Sequence, residues 1–225
     1  MKVIVNLIFL LIFSCLLNAK EHREFYKNGN LQLNVEMTED IYNGEYLVFY
    51  ENGNIMITGQ FENNLPVGEF LTYYKNGTIY KKEIYKNGYL LENIKYFKNS
   101  KIQSYIKNDK SIQYNTKYYN NKLNSKYYEG IWDKGKEVKR INYYPNAKIE
   151  YIVKYENDIA IEGYYFDKNN QKIKLTKAHL YNAPWNDKWL NYKLNISEIP
   201  DFNDEEKTLY QLSHIKIFDL SKKHY

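Results

Sequence analysis

One short motif, an aromatic residue, any residue and then Asn-Gly, recurs along the chain at nearly fixed spacing. It occurs as Y-K-N-G-N-L at Tyr26, Y-E-N-G-N-I at Tyr50 and Y-K-N-G-T-I at Tyr74, three copies 24 residues apart. Weaker copies follow at intervals of 21 to 26 residues, beginning at Phe97, Tyr118, Tyr144 and Phe166. Asn-Gly between two apolar-rich runs is the strongest short-range signal for a β-hairpin. The sequence therefore predicts seven repeated hairpins, because each interval is about one hairpin and its connection long.

The stretch from Tyr46 to Gly68 contains one complete repeat: strand, tight turn, strand and looser turn. We expect a two-residue type I′ turn at Asn52-Gly53, which would pair Tyr50 with Ile55 and Val48 with Ile57. Directly paired residues share a face of the sheet. The predicted face comprises Tyr46, Val48, Tyr50, Ile55 and Ile57, then Phe70, Thr72, Tyr74 and Ile79, and in the first repeat Tyr26, Leu31, Leu33 and Val35. The opposite face would carry Leu47, Phe49, Met56, Leu71, Tyr73 and Tyr80, mixed with Thr58, Gln60 and Lys82.

Glycine allows positive φ in the turns, and four glycines are therefore predicted to be structural turn residues: Gly29, Gly53, Gly77 and Gly88. Ser100 and Ala147 occupy the same repeat position. Because a Cβ in the left-handed region costs about 1–2 kcal/mol, we expect these two turns to change type or lengthen. Asn121 tolerates that region, and its turn should stay unchanged.

Tyrosine is unusually abundant, with 26 copies in a chain of mean hydropathy −0.71. A tyrosine ring covers apolar area while its hydroxyl group stays in water, which suits a single-layer sheet with rings on both sides. A single tyrosine is ordinarily a packing residue, whereas a clustered, exposed row would indicate binding. The candidate binding surface is the aromatic row Tyr26, Tyr46, Tyr50, Phe70 and Tyr74.

The repeat resembles the variant form of the MORN repeat, Y-x-N-G-x-[IL] followed by G-x-[FY]-x-N-[GN]-x-x-x-G-x-[FYW]. The segment Y-E-G-I-W-D-K-G-K, from Tyr128 to Lys136, resembles the standard MORN core. The resemblance covers residues 23–175. It implies an all-β fold, an elongated single-layer antiparallel sheet of about seven hairpins that serves as a binding or scaffolding surface. Bacterial members of this family are often labelled antitoxin components, which implies a toxin as an alternative partner.

The first 19 residues have the pattern of a secretory signal peptide. Lys2 precedes an apolar run that is short for a membrane span, and Leu17-Asn18-Ala19 fits a cleavage site before Lys20. An uncleaved anchor is one alternative. Another is a lipoprotein, because Ile12-Phe13-Ser14-Cys15 partly resembles a lipobox and Cys15 would carry the lipid. Each version predicts export to the periplasm, the cell envelope or the exterior, without an intrachain disulfide, since Cys15 is the sole cysteine.

The repeat pattern ends near residue 175, and residues 176–225 are predicted to form a C-terminal cap. Polar and acidic residues from Asp201 onward, with Leu209 and Leu212 at helical spacing, predict a short helix near residues 203–213. We expect Trp185 and Trp189 to lie on the last hairpins and cover the open end of the repeat array. A partner-specific segment is the alternative.

No residue pattern indicates an enzyme. The four histidines lack metal-ligand spacing, and the sequence carries no nucleophile, metalloprotease, Walker or dinucleotide motif. We therefore predict no catalytic residue, metal or cofactor. The net charge of +5 becomes +4 without Lys2, and lysines are mixed with acids, which argues against nucleic acid as a partner. The prediction is a binding or scaffolding protein for another protein, touching membrane only through its N-terminus; an antitoxin and an envelope lipoprotein are the alternatives.

Overall fold

The computed structural model describes residues 20–182 and 200–211. Fourteen strands and two short helices occur in this part of the chain. The strands are β1 (Lys20–Phe25), β2 (Leu31–Thr38), β3 (Ile41–Phe49), β4 (Ile55–Glu62), β5 (Leu65–Tyr73), β6 (Ile79–Lys86), β7 (Tyr89–Tyr96), β8 (Ile102–Asp109), β9 (Ile112–Tyr118), β10 (Lys126–Asp133), β11 (Lys136–Tyr143), β12 (Ile149–Glu156), β13 (Ile159–Phe166) and β14 (Lys172–Lys174). Helix α1 is Lys177–Asn182, and helix α2 covers residues 204–211.

The strands form one open sheet in which each strand neighbours the next in sequence. The predicted fold class is confirmed: the protein is all-β, and its sheet consists of repeated antiparallel hairpins. Each copy of the repeated motif lies in the loop of one hairpin, from β1–β2 through to β13–β14. The prediction of seven hairpins is also confirmed.

Two compact units make up the chain, and each is described by itself. The N-terminal unit contains, of the described residues, 20–78, 84–90 and 201–211. The C-terminal unit contains residues 79–83, 91–182 and 200.

The loop of the second hairpin is longer than predicted. Tyr50 N donates to Asn54 O and Gly53 N donates to Tyr50 O, both at 2.8 Å, so Tyr50 and Asn54 close a three-residue loop. Gly53 has a φ of +84°. This geometry is a type I turn followed by a left-handed residue that forms a bulge. The cause is the Asn52 side chain, whose Oδ1 accepts from Asn54 N at 3.1 Å and so favours the longer loop. The predicted type I′ turn is wrong here.

Two-residue turns occur at the opposite strand ends, where the sequence predicted looser ones. Asn63 and Asn64, with φ of +50° and +65°, connect the paired residues Glu62 and Leu65. Positive φ at both central positions is the requirement of a type I′ turn, and Asn and Asp meet it with little strain. The same pattern recurs at Glu39-Asp40, Asn87-Gly88, Lys134-Gly135 and Asn157-Asp158.

The bulge in each longer loop changes which residue after the turn is buried. Val48 pairs with Ile57 as predicted, but Phe49 pairs with Ile55, leaving Met56 as the additional residue. Consequently Met56 is fully buried and Ile55 is 41% exposed, the reverse of the prediction. In the third hairpin Tyr80 is likewise buried and Ile79 is exposed, again the reverse of the prediction. The remaining predicted face is buried, apart from the half-buried Leu31: Tyr26, Leu33, Val35, Tyr46, Val48, Tyr50, Ile57, Phe70, Thr72 and Tyr74.

The predicted change at Ser100 and Ala147 does not occur. Ser100 N donates to Phe97 O at 2.8 Å and Ala147 N to Tyr144 O at 2.9 Å, as in the glycine turns, with φ of +63° and +67°. Neighbouring asparagine side chains stabilise both loops, each accepting from the backbone two residues later at 3.1 Å. The loop therefore keeps its form and carries the strain of a left-handed Cβ residue.

The turn at Asn121, which was expected to stay unchanged, is longer instead. Tyr119 N donates to Ser125 O, and the left-handed residue is Asn124 with a φ of +47°. Asn121 uses its side chain to bond the Ser125 backbone and hydroxyl group at 3.3 and 3.0 Å. These side-chain bonds stabilise the wider loop.

Aromatic rings form the centre of the N-terminal unit. Phe61 contacts Tyr46 and Phe70 edge-to-face at 5.3 and 5.4 Å between centroids, and Phe70 contacts Tyr85 at 5.4 Å. Burying such a side chain contributes about 1.5–3 kcal/mol, and edge-to-face pairs add about 0.5–1.5 kcal/mol each.

Candidate binding surface

The tyrosine that begins the repeated motif holds the next hairpin in place. Tyr26 Oη donates to Phe49 O at 2.6 Å, and Tyr50 Oη donates to Tyr73 O at 2.5 Å. In the C-terminal unit, Tyr144 donates to Phe166 O at 3.0 Å, and Tyr119, one residue after the predicted start of its motif copy at Tyr118, donates to Tyr143 O at 3.2 Å. Each acceptor lies 22 to 24 residues after its donor, which explains why the motif recurs at this interval.

The asparagine that follows Asn-Gly makes a second link of the same kind. Asn30 Nδ2 donates to Glu51 O and Asn54 Nδ2 donates to Lys75 O, both at 2.8 Å. The motif Y-x-N-G-N thus has a physical explanation. Its tyrosine and last asparagine bond the next hairpin, its first asparagine shapes the turn, and its glycine takes the left-handed conformation.

The aromatic row proposed from the sequence as a binding surface is buried. Its members are between 0 and 3% exposed: Tyr26, Tyr46, Tyr50, Phe70 and Tyr74. They lie in the core or beneath the C-terminal segment, so in this structure none is available to a partner. The four turn glycines, Gly29, Gly53, Gly77 and Gly88, have φ between +83° and +87°.

Helix α2 docks on the N-terminal unit through its first turn. Asn203 Oδ1 accepts from Glu206 N at 2.8 Å, and Glu206 Oε2 accepts from Asn203 N at 2.9 Å. These reciprocal bonds are a capping box, and they satisfy two donors that a helix start otherwise leaves unpaired. The predicted helix is confirmed over its described residues.

The same carboxylate group joins the helix to the repeats. Glu206 is 1% exposed, its Oε1 accepts from Glu51 N at 3.1 Å, and its Oε2 lies 2.8 Å from Lys75 Nζ. Asn203 Nδ2 donates to Glu51 Oε2 at 2.9 Å. The helix therefore contacts the loops of the second and third hairpins.

Aromatic stacking completes this docking. Phe202 stacks on Tyr50 with centroids 6.0 Å apart, and Tyr210 stacks on Phe202 at 4.8 Å. Burial first, and then the Glu206 carboxylate, raise the pKa of Tyr50 above its ordinary value. Residues 201–211 thus cover early repeats, whereas the sequence placed the cap on the last ones. The expected positions of Trp185 and Trp189 lie outside the described residues, as does Cys15.

One face of the sheet in the C-terminal unit is polar. Strand register aligns Lys95 with Ser104, Ser104 with Lys117, and Lys117 with Tyr128, and the next residue in this row is Asn142. A parallel row two residues along contains Asn93, Ile106, Asn115, Gly130 and Arg140. Directly paired residues share a face, so both rows lie on one side of the sheet. We call this the polar face.

Tyr128 occupies the middle of the polar face because Gly130 leaves space for its ring. A Cβ on Gly130 would meet Tyr128 Oη at 2.0 Å. Tyr128 Oη donates to Glu137 Oε1 at 2.8 Å, and Lys117 Nζ and Arg140 Cζ lie 5.2 and 5.6 Å from the ring centroid. Two cations therefore flank one aromatic ring.

Some charges on the polar face are paired. Lys81 Nζ lies 2.9 Å from Glu83 Oε2, and Arg140 Nη2 lies 2.5 Å from Glu137 Oε2. By contrast, neither Lys95 nor Lys117 forms an ion pair with a residue of the described ranges. Burial lowers the pKa of Lys95, Glu83 raises it, and the like charge of Lys117 lowers it further.

Amide oxygens on this face also lack partners. Among the described residues, no hydrogen bond reaches Oδ1 of Asn93, Asn115 or Asn142. Asn142 is only 9% exposed, so its carbonyl group has lost water without gaining a donor. Buried polar groups are nearly always hydrogen-bonded, and an unpaired one costs about 1–3 kcal/mol. The polar face therefore carries buried acceptor atoms whose hydrogen-bonding capacity the described residues leave unused.

Residues 20–182 and 200–211 contain no cluster of three His, Cys, Asp or Glu side chains suited to a metal ion. None of the helices in these ranges is long and apolar enough to cross a membrane. No model of a known protein family matches the chain, and no curated protein matches it. The class of protein that the fold defines is a β-hairpin repeat protein.

Two polar features were not predicted from the sequence, the docking carboxylate of Glu206 and the lysine pair Lys95 and Lys117. Asn203 and Glu206 have the three-residue spacing of a capping box, so the docking carboxylate could have been identified as a cap residue. Lys95 and Lys117 were counted among scattered lysines. Lys95 lies beside Ser104 because of a bulge between β7 and β8, which the sequence does not reveal, whereas Lys117 lies beside it in a regular register.

Proposed function

We propose that this protein is an exported, non-enzymatic repeat protein that binds another protein through its sheet, in the manner implied by its resemblance to MORN-variant repeats. The observation that carries the proposal is the polar face, where lysines without ion pairs and amide oxygens without donors among the described residues lie together. The N-terminal unit supports it, since the repeats there already hold a peptide segment, residues 201–211, through loop amides, a lysine and a tyrosine ring.

Site-specific photocrosslinking in the native host tests this proposal. A photoreactive benzoylphenylalanine replaces Ser104 in one strain and Lys107, which is exposed on the opposite face of β8, in the control strain. A single protein adduct at position 104 and none at position 107 is the expected result. Equal or absent adducts at the two positions would refute binding through this face.

Neutralisation of a toxin is the second candidate. The repeat pattern favours it because bacterial proteins of the family that it resembles are often labelled antitoxin components. An antitoxin works on a toxin encoded nearby. The crosslinked protein, identified by mass spectrometry, would then be the product of an adjacent reading frame. An adduct with a protein encoded elsewhere would exclude this version and leave general protein binding intact.

Export and anchoring have their own test, the intact mass of the protein purified from its host. A mass starting at Lys20 identifies a secreted or periplasmic binder. A mass starting at an acylated Cys15, abolished by Cys15→Ser, identifies an envelope lipoprotein. An uncleaved chain would contradict both.

A further inference from the structure

We infer that the polar face around Ser104 is a docking site for an acidic segment of a protein partner, whose carboxylates pair with Lys95 and Lys117. This inference rests on the proposed function and specifies the chemistry of the partner. It follows from the spacing of the two lysines, from the local charge balance and from the way in which the chain binds its own acidic segment.

The spacing suits a pair of carboxylates. Ser104 lies directly between Lys95 and Lys117 on the three neighbouring strands β7, β8 and β9. Adjacent strands are about 4.8 Å apart, so the two lysine backbones are about 10 Å apart with a small hydroxyl group between them. Lysine side chains are long enough to reach a ligand above Ser104 from both sides, although Lys117 Nζ lies over the Tyr128 ring in this structure, and the serine hydroxyl group would add a donor.

The acids on this face are occupied elsewhere. Glu83 is paired with Lys81 and accepts from Asn93 Nδ2 at 3.2 Å, and Glu137 is paired with Arg140 and Tyr128. Burial is the main cause of the lowered pKa of Lys95, and the like charge of Lys117 lowers that pKa further. A ligand that brings negative charge removes the repulsion between these like charges, whereas a basic or neutral ligand does not.

The chain itself provides an example of such recognition. Four of the six residues 201–206 are acidic, and the Glu206 carboxylate binds Lys75 and a loop N–H while Phe202 stacks on Tyr50. The polar face offers lysines, a flanked tyrosine ring and amide oxygens. A peptide can supply several carboxylates in one short segment, as residues 201–206 do. An acidic protein segment therefore fits better than a simple anion.

The test measures binding of a fluorescent 20-residue polyglutamate peptide to the full mature chain by anisotropy. The double variant Lys95→Gln/Lys117→Gln is compared with Lys110→Gln/Lys122→Gln, which removes the same charge from exposed loop positions of the same unit. We expect at least a tenfold loss of affinity in the first and less than a twofold loss in the second. Equal losses would show general charge attraction and overturn the inference.

Two additional measurements keep the outcome clear. Lys95→Met/Lys117→Met preserves the aliphatic stems, so the same loss of affinity in this variant, at an unchanged thermal midpoint, excludes a folding defect. Oligogalacturonate serves as the competing acidic glycan, and binding tighter than that of polyglutamate would overturn the protein assignment.

The crosslinking experiment separates the two proposals. If the Ser104 adduct forms equally well with Lys95→Gln/Lys117→Gln, the protein-binding function stands and the acidic chemistry fails. If no adduct forms even in the wild-type background, the proposed function itself fails. Loss of the adduct only in the lysine variant supports both.

Discussion

Replacement of Glu206 by alanine should release helix α2 from the N-terminal unit. The carboxylate is 1% exposed and bonds three groups, the backbone N–H groups of Glu51 and Asn203 and the ammonium group of Lys75. Alanine removes every acceptor at once. Two of the three contacts join the helix to the repeats and the third closes its own capping box, so their loss weakens the docked helix more than the folding of the sheet.

The magnitude follows from those contacts. Hydrogen bonds to a charged group contribute about 1.5–3 kcal/mol each, and loss of a cap costs about 0.5–2 kcal/mol. The Lys75 side chain is 37% exposed, so water replaces much of its interaction and we discount that ion pair. The remaining two contacts are worth about 3 kcal/mol in total, which corresponds to a factor of about 100 in the opening equilibrium.

Hydrogen exchange of the backbone amides in residues 207–211 measures this equilibrium. We expect protection to fall about 100-fold in Glu206→Ala and by a smaller factor in Glu206→Gln, which keeps one acceptor oxygen. The matched control is Glu205→Ala, because Glu205 lies in the same helical turn and is exposed. Equal exchange in Glu205→Ala and Glu206→Ala would refute the docking role of the carboxylate.

Three further predictions concern stability. Ala147→Gly should stabilise the protein by about 0.5–1 kcal/mol, because it relieves about 1–2 kcal/mol of left-handed strain at φ +67° and adds a smaller entropy cost; a lower urea midpoint would contradict this. Gly59→Ala should destabilise the protein by about 1–3 kcal/mol, since the added Cβ would meet the Phe70 ring at 2.2 Å. In a double-mutant cycle, Phe70→Leu should recover part of this loss of stability, and strict additivity of the two changes would argue against the clash. Burial and then Tyr119 raise the pKa of Tyr127 to about 12. The contribution of its neutral phenol group to stability is therefore complete below about pH 10 and is lost as pH rises through 12. Denaturant midpoints across this range should fall less steeply in Tyr127→Phe, and identical profiles in the two proteins would exclude that contribution.

The number of hairpins and most of the buried face could be predicted because the pattern is local. Asn-Gly marks each loop, and strand alternation assigns the buried positions of residues such as Val48 and Tyr46. The turn type could not be predicted from Asn-Gly alone, because the Asn52 side chain competes for the backbone N–H that defines the loop. One residue of difference in the loop is enough to exchange Ile55 and Met56 between the two sides of the sheet.

The candidate site was harder to predict because its contacts are not local. A repeated tyrosine indicates an important role, but the sequence does not distinguish a ring that binds a partner from one that holds the next hairpin. Tyr50 has the second role, because its hydroxyl group bonds Tyr73 O. The docking of Glu206 on Glu51 joins residues 155 positions apart, a separation at which sequence pattern carries no information.

The hydroxyl links between successive hairpins make the repeat a self-contained unit of duplication. A 24-residue segment carries its own turn, its own donor tyrosine and the carbonyl group that the preceding tyrosine needs. Such a segment inserted in phase would find a matching acceptor ahead and a matching donor behind. The links tolerate separations of 22 to 24 residues, whereas an insertion of half a repeat would leave a tyrosine facing the wrong carbonyl group. The gene for such a chain can therefore gain or lose whole repeats by recombination between copies while every remaining hairpin keeps its bonds. A one-residue insertion within a strand, by contrast, interrupts the links on both sides of it.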